Sequence, residues 1–188
     1  MARRSNHYEA AFEGYIRSLR IPCVAVDEAK RSFFGDEGLK NPDFILYPKF
    51  GTNLVVEVKG KRGKNAKGRR AWENWVTTDD LEGLTRWQEM FGPGFQAVLA
   101  FAYAEAPPEF PLPPGDGAFA FRRYLYRFWA VGLDDYVANL TSRGPAWRAV
   151  AMARSAFRRR VRPLDEWLPM TVNAPKRPQP LPLKEHDR

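Results

Sequence analysis

Between Leu54 and Lys59 the chain reads Leu54-Val55-Val56-Glu57-Val58-Lys59, an aliphatic run broken by one acid and one base two positions apart. In a β-strand, residues i and i+2 share a face. Leu54, Val56 and Val58 therefore form an ordinary core face, while Val55, Glu57 and Lys59 point the other way. Asn41-Pro42-Asp43-Phe44-Ile45-Leu46 reads as a second short strand, joined to the first by the turn Tyr47 to Asn53. Charges on an apolar strand are costly unless they are paired or bound to a metal. Whatever this chain folds into must contain a sheet, and must supply Asp43, Glu57 and Lys59 with partners.

At 188 residues the chain has room for one domain with a substantial core. We expect that domain to span 1–170. No apolar run approaches the roughly 18 residues of a membrane span. The opening Met1-Ala2-Arg3-Arg4 has no apolar segment behind it of the kind a secretory signal needs. A lone Cys23 excludes an internal disulfide and a Cys-cluster zinc site, and reads as a small buried hydrophobe. These features together lead us to expect a cytoplasmic protein. Of the formal charge of +8, six units lie between Gly60 and Arg70, on Lys61, Arg62, Lys64, Lys67, Arg69 and Arg70, with no acid among them. So localised a positive segment favours a polyanionic partner over a generally basic surface, and we read 60–71 as a mobile basic loop.

Asn6 to Leu19 predicts an amphipathic helix, with Tyr8, Ala11, Phe12, Tyr15, Ile16 and Leu19 on one stripe. Glu9 falls at the edge of that stripe and Glu13 further outside it. Asn6-x-x-Glu9 also fits an N-terminal capping box, so spacing alone leaves Glu9 open between a cap and a site acid. Pro22 ends the helix, and Cys23 to Val26 predicts a first strand. Asp27 to Leu39 reads as loop. Thr77-Thr78-Asp79-Asp80 supplies helix N-cap residues, and that helix runs to Phe91 before Gly92-Pro93-Gly94. Gln88 lies within its apolar arc and needs a polar partner, from nearby backbone or from a site. Residues 95–103 predict a central strand buried on both faces. A Pro-rich insertion follows at 104–117. Tyr124 to Val131 predicts another strand, with a short helix capped by Asp134 after it. Trp147 to Met152 predicts a further strand, and Phe157, Val161, Leu164 and Leu168 a closing helix. The Pro-rich tail 171–188 is expected to be disordered.

Two carboxylates on adjacent strands, with a third available from a packed helix, make an all-oxygen set suited to a hard divalent cation such as Mg²⁺. Asp43 and Glu57 are the candidate direct ligands, with the Val58 carbonyl as a further oxygen. Lys59 is placed to hold an attacking water or to stabilise phosphate charge. Beside a basic segment able to grip a nucleic-acid backbone, this constellation points to metal-assisted phosphodiester hydrolysis. Trp72 and Trp75 are candidates for base stacking, although aromatics near a helix start more often serve the core.

Pro42-Asp43 followed by Glu57-Val58-Lys59 resembles the PD-(D/E)XK nuclease superfamily, which includes restriction endonucleases and archaeal Holliday-junction resolvases. The resemblance implies an α/β, restriction-endonuclease-like three-layer core, with a mixed sheet of four to six strands flanked by helices. It also implies a Mg²⁺-dependent endodeoxyribonuclease, with Mn²⁺ able to substitute, acting on DNA rather than RNA as a homodimer. Junction or branched DNA is the expected substrate. The superfamily's leading-helix glutamate maps onto Glu9, with Glu13 in reserve, and its polar residue on the following helix onto Gln88. In addition, His7-Tyr8-Glu9-Ala10-Ala11-Phe12-Glu13 resembles the motif that names the HYExAFE family. That likeness strengthens the reading of Glu9 as a site residue, while His7 is read as a packing or hydrogen-bonding residue.

Overall fold

The computed structural model describes residues 6–27, 32–34, 37–63, 72–105, 118–142 and 148–169. Lys64, Lys67, Arg69, Arg70, most of the Pro-rich insertion and the C-terminal tail lie outside the described residues.

The sheet is built on the strand that dominates the sequence. This is β5 (Asn53–Arg62), preceded by β1 (Cys23–Ala25), β2 (Ser32–Phe34), β3 (Glu37–Leu39) and β4 (Phe44–Leu46). It is followed by β6 (Val76–Thr77), β7 (Phe95–Glu105), β8 (Ala118–Phe121), β9 (Tyr124–Gly132), β10 (Leu140–Ser142), β11 (Ala149–Met152) and β12 (Arg162–Pro163). Seven of these form one mixed sheet in the order β1-β4-β5-β7-β9-β12, with β8 paired to β9. β5 and β7 are parallel, with Glu57 opposite Leu99 and Lys59 opposite Phe101, and the other neighbours in the sheet are antiparallel. The sheet exceeds the expected four to six strands because the β8–β9 hairpin and the short β12 extend it beyond β7.

The alternation along β5 divides the core in two. Leu54, Val56 and Val58 join the cluster under helix α1 (His7–Ser18), where Ala11, Phe12 and Ile16 are fully buried. Val55 joins the opposite cluster, under helix α2 (Thr78–Phe91) with Leu81 and Leu84. Glu57 and Lys59, in phase with Val55, therefore face the α2 side. The predicted stripe of α1 is the one that packs, with Tyr8, Tyr15 and Leu19 completing it. At the far end of β5, Gly60 lets Tyr8 lie flat on the strand: a Cβ there would stand 2.1 Å from Tyr8 Cδ2. Helix α2 begins at a true capping box on Thr77 and ends at Gly92, whose φ of 66° suits glycine.

Four expectations are corrected. The basic stretch does not begin as a loop at Gly60, because β5 continues through Lys61 and Arg62, paired with Tyr103 and Ala104 of β7. The stretch read as loop before Lys40 contains the β2–β3 hairpin. The short helix α3 (Leu133–Val137) has Gly132 at its N-cap position, with no side-chain cap from Asp134. The closing helix, α4 (Arg154–Arg160), stops at Val161, just ahead of Arg162, whose place before Pro163 disfavours helical backbone, and the chain continues as β12 and a 3₁₀ turn over Leu164–Trp167. As a result Phe157 and Val161 fill the α2-side core, whereas Leu164 and Leu168 fill the α1-side core. Among the described residues, no helix is long and apolar enough to cross a membrane.

Candidate active site

The strand β4 ends where Asp43 takes over its hydrogen bonding. The Asp43 N–H donates to the Val56 carbonyl at 2.9 Å, and the Val58 N–H donates to Asp43 Oδ2 at 2.6 Å. A side chain thus replaces the missing ladder partner and fixes the carboxylate against β5. Asp43 is 1% exposed and Glu57 2%. Glu57 and Lys59 lie on the α2 face of the sheet, and Asp43 is held at the edge of β5 by its bonds to Val56 and Val58, the two residues that flank Glu57.

Two buried acids of this face, Glu57 and Asp80, meet two ammonium groups. Lys59 Nζ lies 2.8 Å from Glu57 Oε1 and 2.7 Å from Asp80 Oδ2. Lys40 Nζ lies 2.5 Å from the same Glu57 oxygen and also pairs with Asp80 Oδ1. Asp80 comes from the first turn of α2, where its Oδ2 accepts the Thr77 N–H at 2.9 Å and its own N–H donates to Thr77 Oγ1 at 3.2 Å. The cap that starts the helix therefore also aims a carboxylate across the face of β5. With Asp43 included, three carboxylates and two ammoniums leave one negative charge.

Neighbouring charge and burial act differently on each group. Burial pushes the Glu57 carboxyl above its ordinary value against the pull of Lys59 and Lys40, and the Asp80 charge adds to the rise. Burial also disfavours ionised Asp80. It is outweighed by the Lys59 charge and by hydrogen bonds from Lys40, Lys59 and the Thr77 N–H, so this carboxyl sits well below its ordinary 3.8. Burial works against the Lys40 charge too, but Glu57 and Asp80 prevail and hold the ammonium above its ordinary 10.5. A depressed carboxyl stabilises the fold above its unfolded value and loses that contribution as the pH falls. Without added metal, the melting-temperature gap between wild type and Asp80→Asn should be widest above about pH 5 and should narrow below about pH 4. A gap that is constant from pH 3 to 7 contradicts this.

Lys40 and Asp80 are absent from the sequence-derived set. Asp80 was legible as a cap, but capping chemistry does not say which surface the carboxylate faces. Lys40 lies in an aperiodic polar stretch with no local signal. The other candidates fall elsewhere. Glu9 is 8% exposed and accepts from Asn6 Nδ2 at 2.5 Å, while Asn6 Oδ1 caps the Tyr8 N–H. Asn6 and Glu9 thus bond side chain to side chain, and α1 packs on the sheet face opposite Glu57. Glu13 pairs with Arg17 at 2.8 Å on the same helix. Gln88 lies eight residues beyond Asp80, about 12 Å along the helix. Its Oε1 accepts the Ala97 N–H at 2.7 Å and its Nε2 donates to Asp134. His7 Nδ1 shares a 2.6 Å hydrogen bond with the Tyr126 hydroxyl.

Of the basic residues, Arg62 is exposed, but Lys61 is 4% exposed, donates to the Trp75 carbonyl at 2.8 Å and holds its ammonium 3.3 Å from the Trp75 ring centre. Trp72 packs edge-on against Tyr103, Trp129 and Phe157, which is a core role. Among the described residues, no three acidic, histidine or cysteine side chains converge into a ready-made metal cluster. The oxygen donors on the α2 face nevertheless have the hard character that a divalent cation takes, and ammonium groups fill the space between two of them.

No family model matches the chain, so the likeness to the HYExAFE motif rests on residues 7–13 alone, and no curated protein matches it either. Solved structures do match. The Holliday junction resolvase Hjc of the archaeal hyperthermophile Archaeoglobus fulgidus superposes with a TM-score of 0.51 at 15% identity, over 87% of this chain and 98% of that one. The chain therefore has a resolvase-like, restriction-endonuclease-like fold: a mixed sheet between helices, with the strand bearing Glu57 and Lys59 at its centre.

Proposed function

We propose that the chain is a divalent-metal-dependent endonuclease that hydrolyses DNA phosphodiester bonds, with branched or junction DNA as its preferred substrate. The observation that carries this reading is the constellation of buried Asp43 and Glu57 with half-buried Lys59 on β5 and at the adjoining end of β4 in a resolvase-like sheet. Asp43, Glu57 and the Val58 carbonyl would hold Mg²⁺ or Mn²⁺. The N–H and C=O of a strand residue point to the same edge, and the Val58 N–H points at Asp43. Its carbonyl accordingly faces the edge where β4 has ended. When bound, the cation supplies Lewis-acid polarisation of a phosphoryl oxygen and lowers the pKa of a coordinated water.

The chain's own groups supply the rest. Lys59 is held between two carboxylates, so its ammonium is oriented where negative charge would develop on the phosphate. The buried position of Glu57 restricts water and strengthens each of these interactions. Arg62, continuing β5 towards the basic segment, would contact the flanking DNA backbone. A homodimer would present two such sites to the two strands of a junction.

The test is incubation of purified protein with duplex, single-stranded and four-way-junction DNA in Mg²⁺ or Mn²⁺, with a chelator control. Metal-dependent cleavage that favours the junction is the expected result. Salt-sensitive binding to all three without cleavage in either metal would replace this reading with a non-catalytic DNA-binding module.

A further inference from the structure

We propose that Lys40 is a built-in counter-cation, seated between Glu57 and Asp80 until a divalent ion displaces it, and that it sets how readily the site takes up metal. The proposal rests on the nuclease reading above and names a control device within the same site.

Four features support it. First, the Glu57 and Asp80 side chains are each 3% exposed, whereas that of Lys40 is 36% exposed. Of the three, the ammonium is the group with a way out. Second, that way out is open, because Lys40 lines a groove of about 920 Å³ together with Asn41, Thr78 and Asp79. Third, only its tip is free to leave. The Lys40 carbonyl accepts Trp87 Nε1–H at 3.0 Å, and α2 presses so closely that a Cβ on Gly83 would stand 2.9 Å from that carbonyl oxygen. The backbone is fixed to α2 while the four-carbon stem can swing into the groove.

Fourth, Lys59 duplicates the contacts of Lys40, reaching the same Glu57 oxygen and the other Asp80 oxygen. Release of Lys40 leaves each carboxylate one ammonium, so the cluster survives the exchange. A purely structural ion pair has no need of that redundancy. The charges agree. The three carboxylates and two ammoniums carry one excess negative charge, and exchanging Lys40 for a divalent ion brings the cluster to neutrality. Lys40 is then free in the groove to meet a phosphodiester.

Metal binding itself supplies the test. Mn²⁺ titrated calorimetrically into metal-free protein should bind Lys40→Gln about tenfold more tightly than wild type. Lys40→Arg, which keeps the charge, should bind no more tightly than wild type, and Asp43→Asn should lose binding. The wild type gives a reading that needs no variant: labelling of the Lys40 amine, mapped by mass spectrometry, should rise when Mg²⁺ is added without DNA. If Asp43→Asn loses Mn²⁺ while Lys40→Gln binds no tighter, or if Lys40 labelling ignores Mg²⁺, the counter-cation is overturned and the nuclease reading stands. If neither wild type nor Lys40→Gln binds Mn²⁺, both fall.

Discussion

Asp43→Asn is expected to fold like the wild type and to lose metal-dependent cleavage by about 1000-fold or more, equivalent to about 4 kcal/mol of transition-state stabilisation. Asparagine keeps an oxygen where Asp43 Oδ2 accepts the Val58 N–H, so the end of β4 and the register of β5 are preserved. What it removes is the negative charge that a divalent cation requires. Asp43→Ala should behave differently. It leaves the Val58 N–H buried without that acceptor, at a cost of about 1–3 kcal/mol, so activity and stability fall together. Comparing the two variants by single-turnover cleavage and by thermal melting separates the chemical role from the structural one. Wild-type cleavage by Asp43→Asn would remove Asp43 from the metal site.

Lys59→Met should produce the largest loss of stability at the site, about 3 kcal/mol, because removing one partner of a buried ion pair leaves charge behind without its full compensation. Glu57 and Asp80 would then depend on Lys40 alone, whose side chain is twice as exposed as that of Lys59. For a domain of this size the loss corresponds to a fall in Tm of roughly 6–12 °C. Glu57→Gln combined with Lys59→Met should recover part of it, since one of the two acids that Lys59 served is then neutral. Urea denaturation of the single and double variants measures the coupling. Strict additivity would mean that Glu57 and Lys59 do not stabilise each other, and that Lys40 and Asp80 organise the cluster without them. Lys59→Met should also abolish cleavage, but only the stability coupling distinguishes an ion pair from a purely catalytic lysine.

Much of this architecture can be read from local pattern, and what cannot has a physical cause in each case. The period of two in Leu54 to Lys59 determines which side chains share a face, and in the fold they do. The 3.6-residue stripe of Tyr8 to Leu19 identifies the buried side of α1, and the edge position of Glu9 agrees with its burial. The cluster Thr77 to Asp80 marks where α2 begins, and the structure shows that Thr77 is its cap and Asp80 the partner. Pattern is silent where a contact depends on a distant element. Nothing near Lys40 in sequence announces that α2 will carry Asp80 to meet it. Lys61 reads as solvent-facing in a basic run, and is buried because Trp75 covers it. The spacing of Phe157 to Leu168 reads as one helix across Pro163 because its apolar residues serve two different cores in succession.

The contact between Tyr8 and Gly60 joins the two most distinctive stretches of the chain into one interlock. The aromatic ring near the start of α1 occupies the volume that any side chain would need just after Lys59, so the helix can lie this close to the strand bearing Glu57 and Lys59 only while residue 60 has no Cβ. Chains descended from a common ancestor with this one would be constrained to change these positions as a pair, a smaller residue at one permitting a larger at the other. Glu9 is carried on the same turn as Tyr8, and its position relative to the strand bearing Glu57 and Lys59 is thereby tied to a glycine.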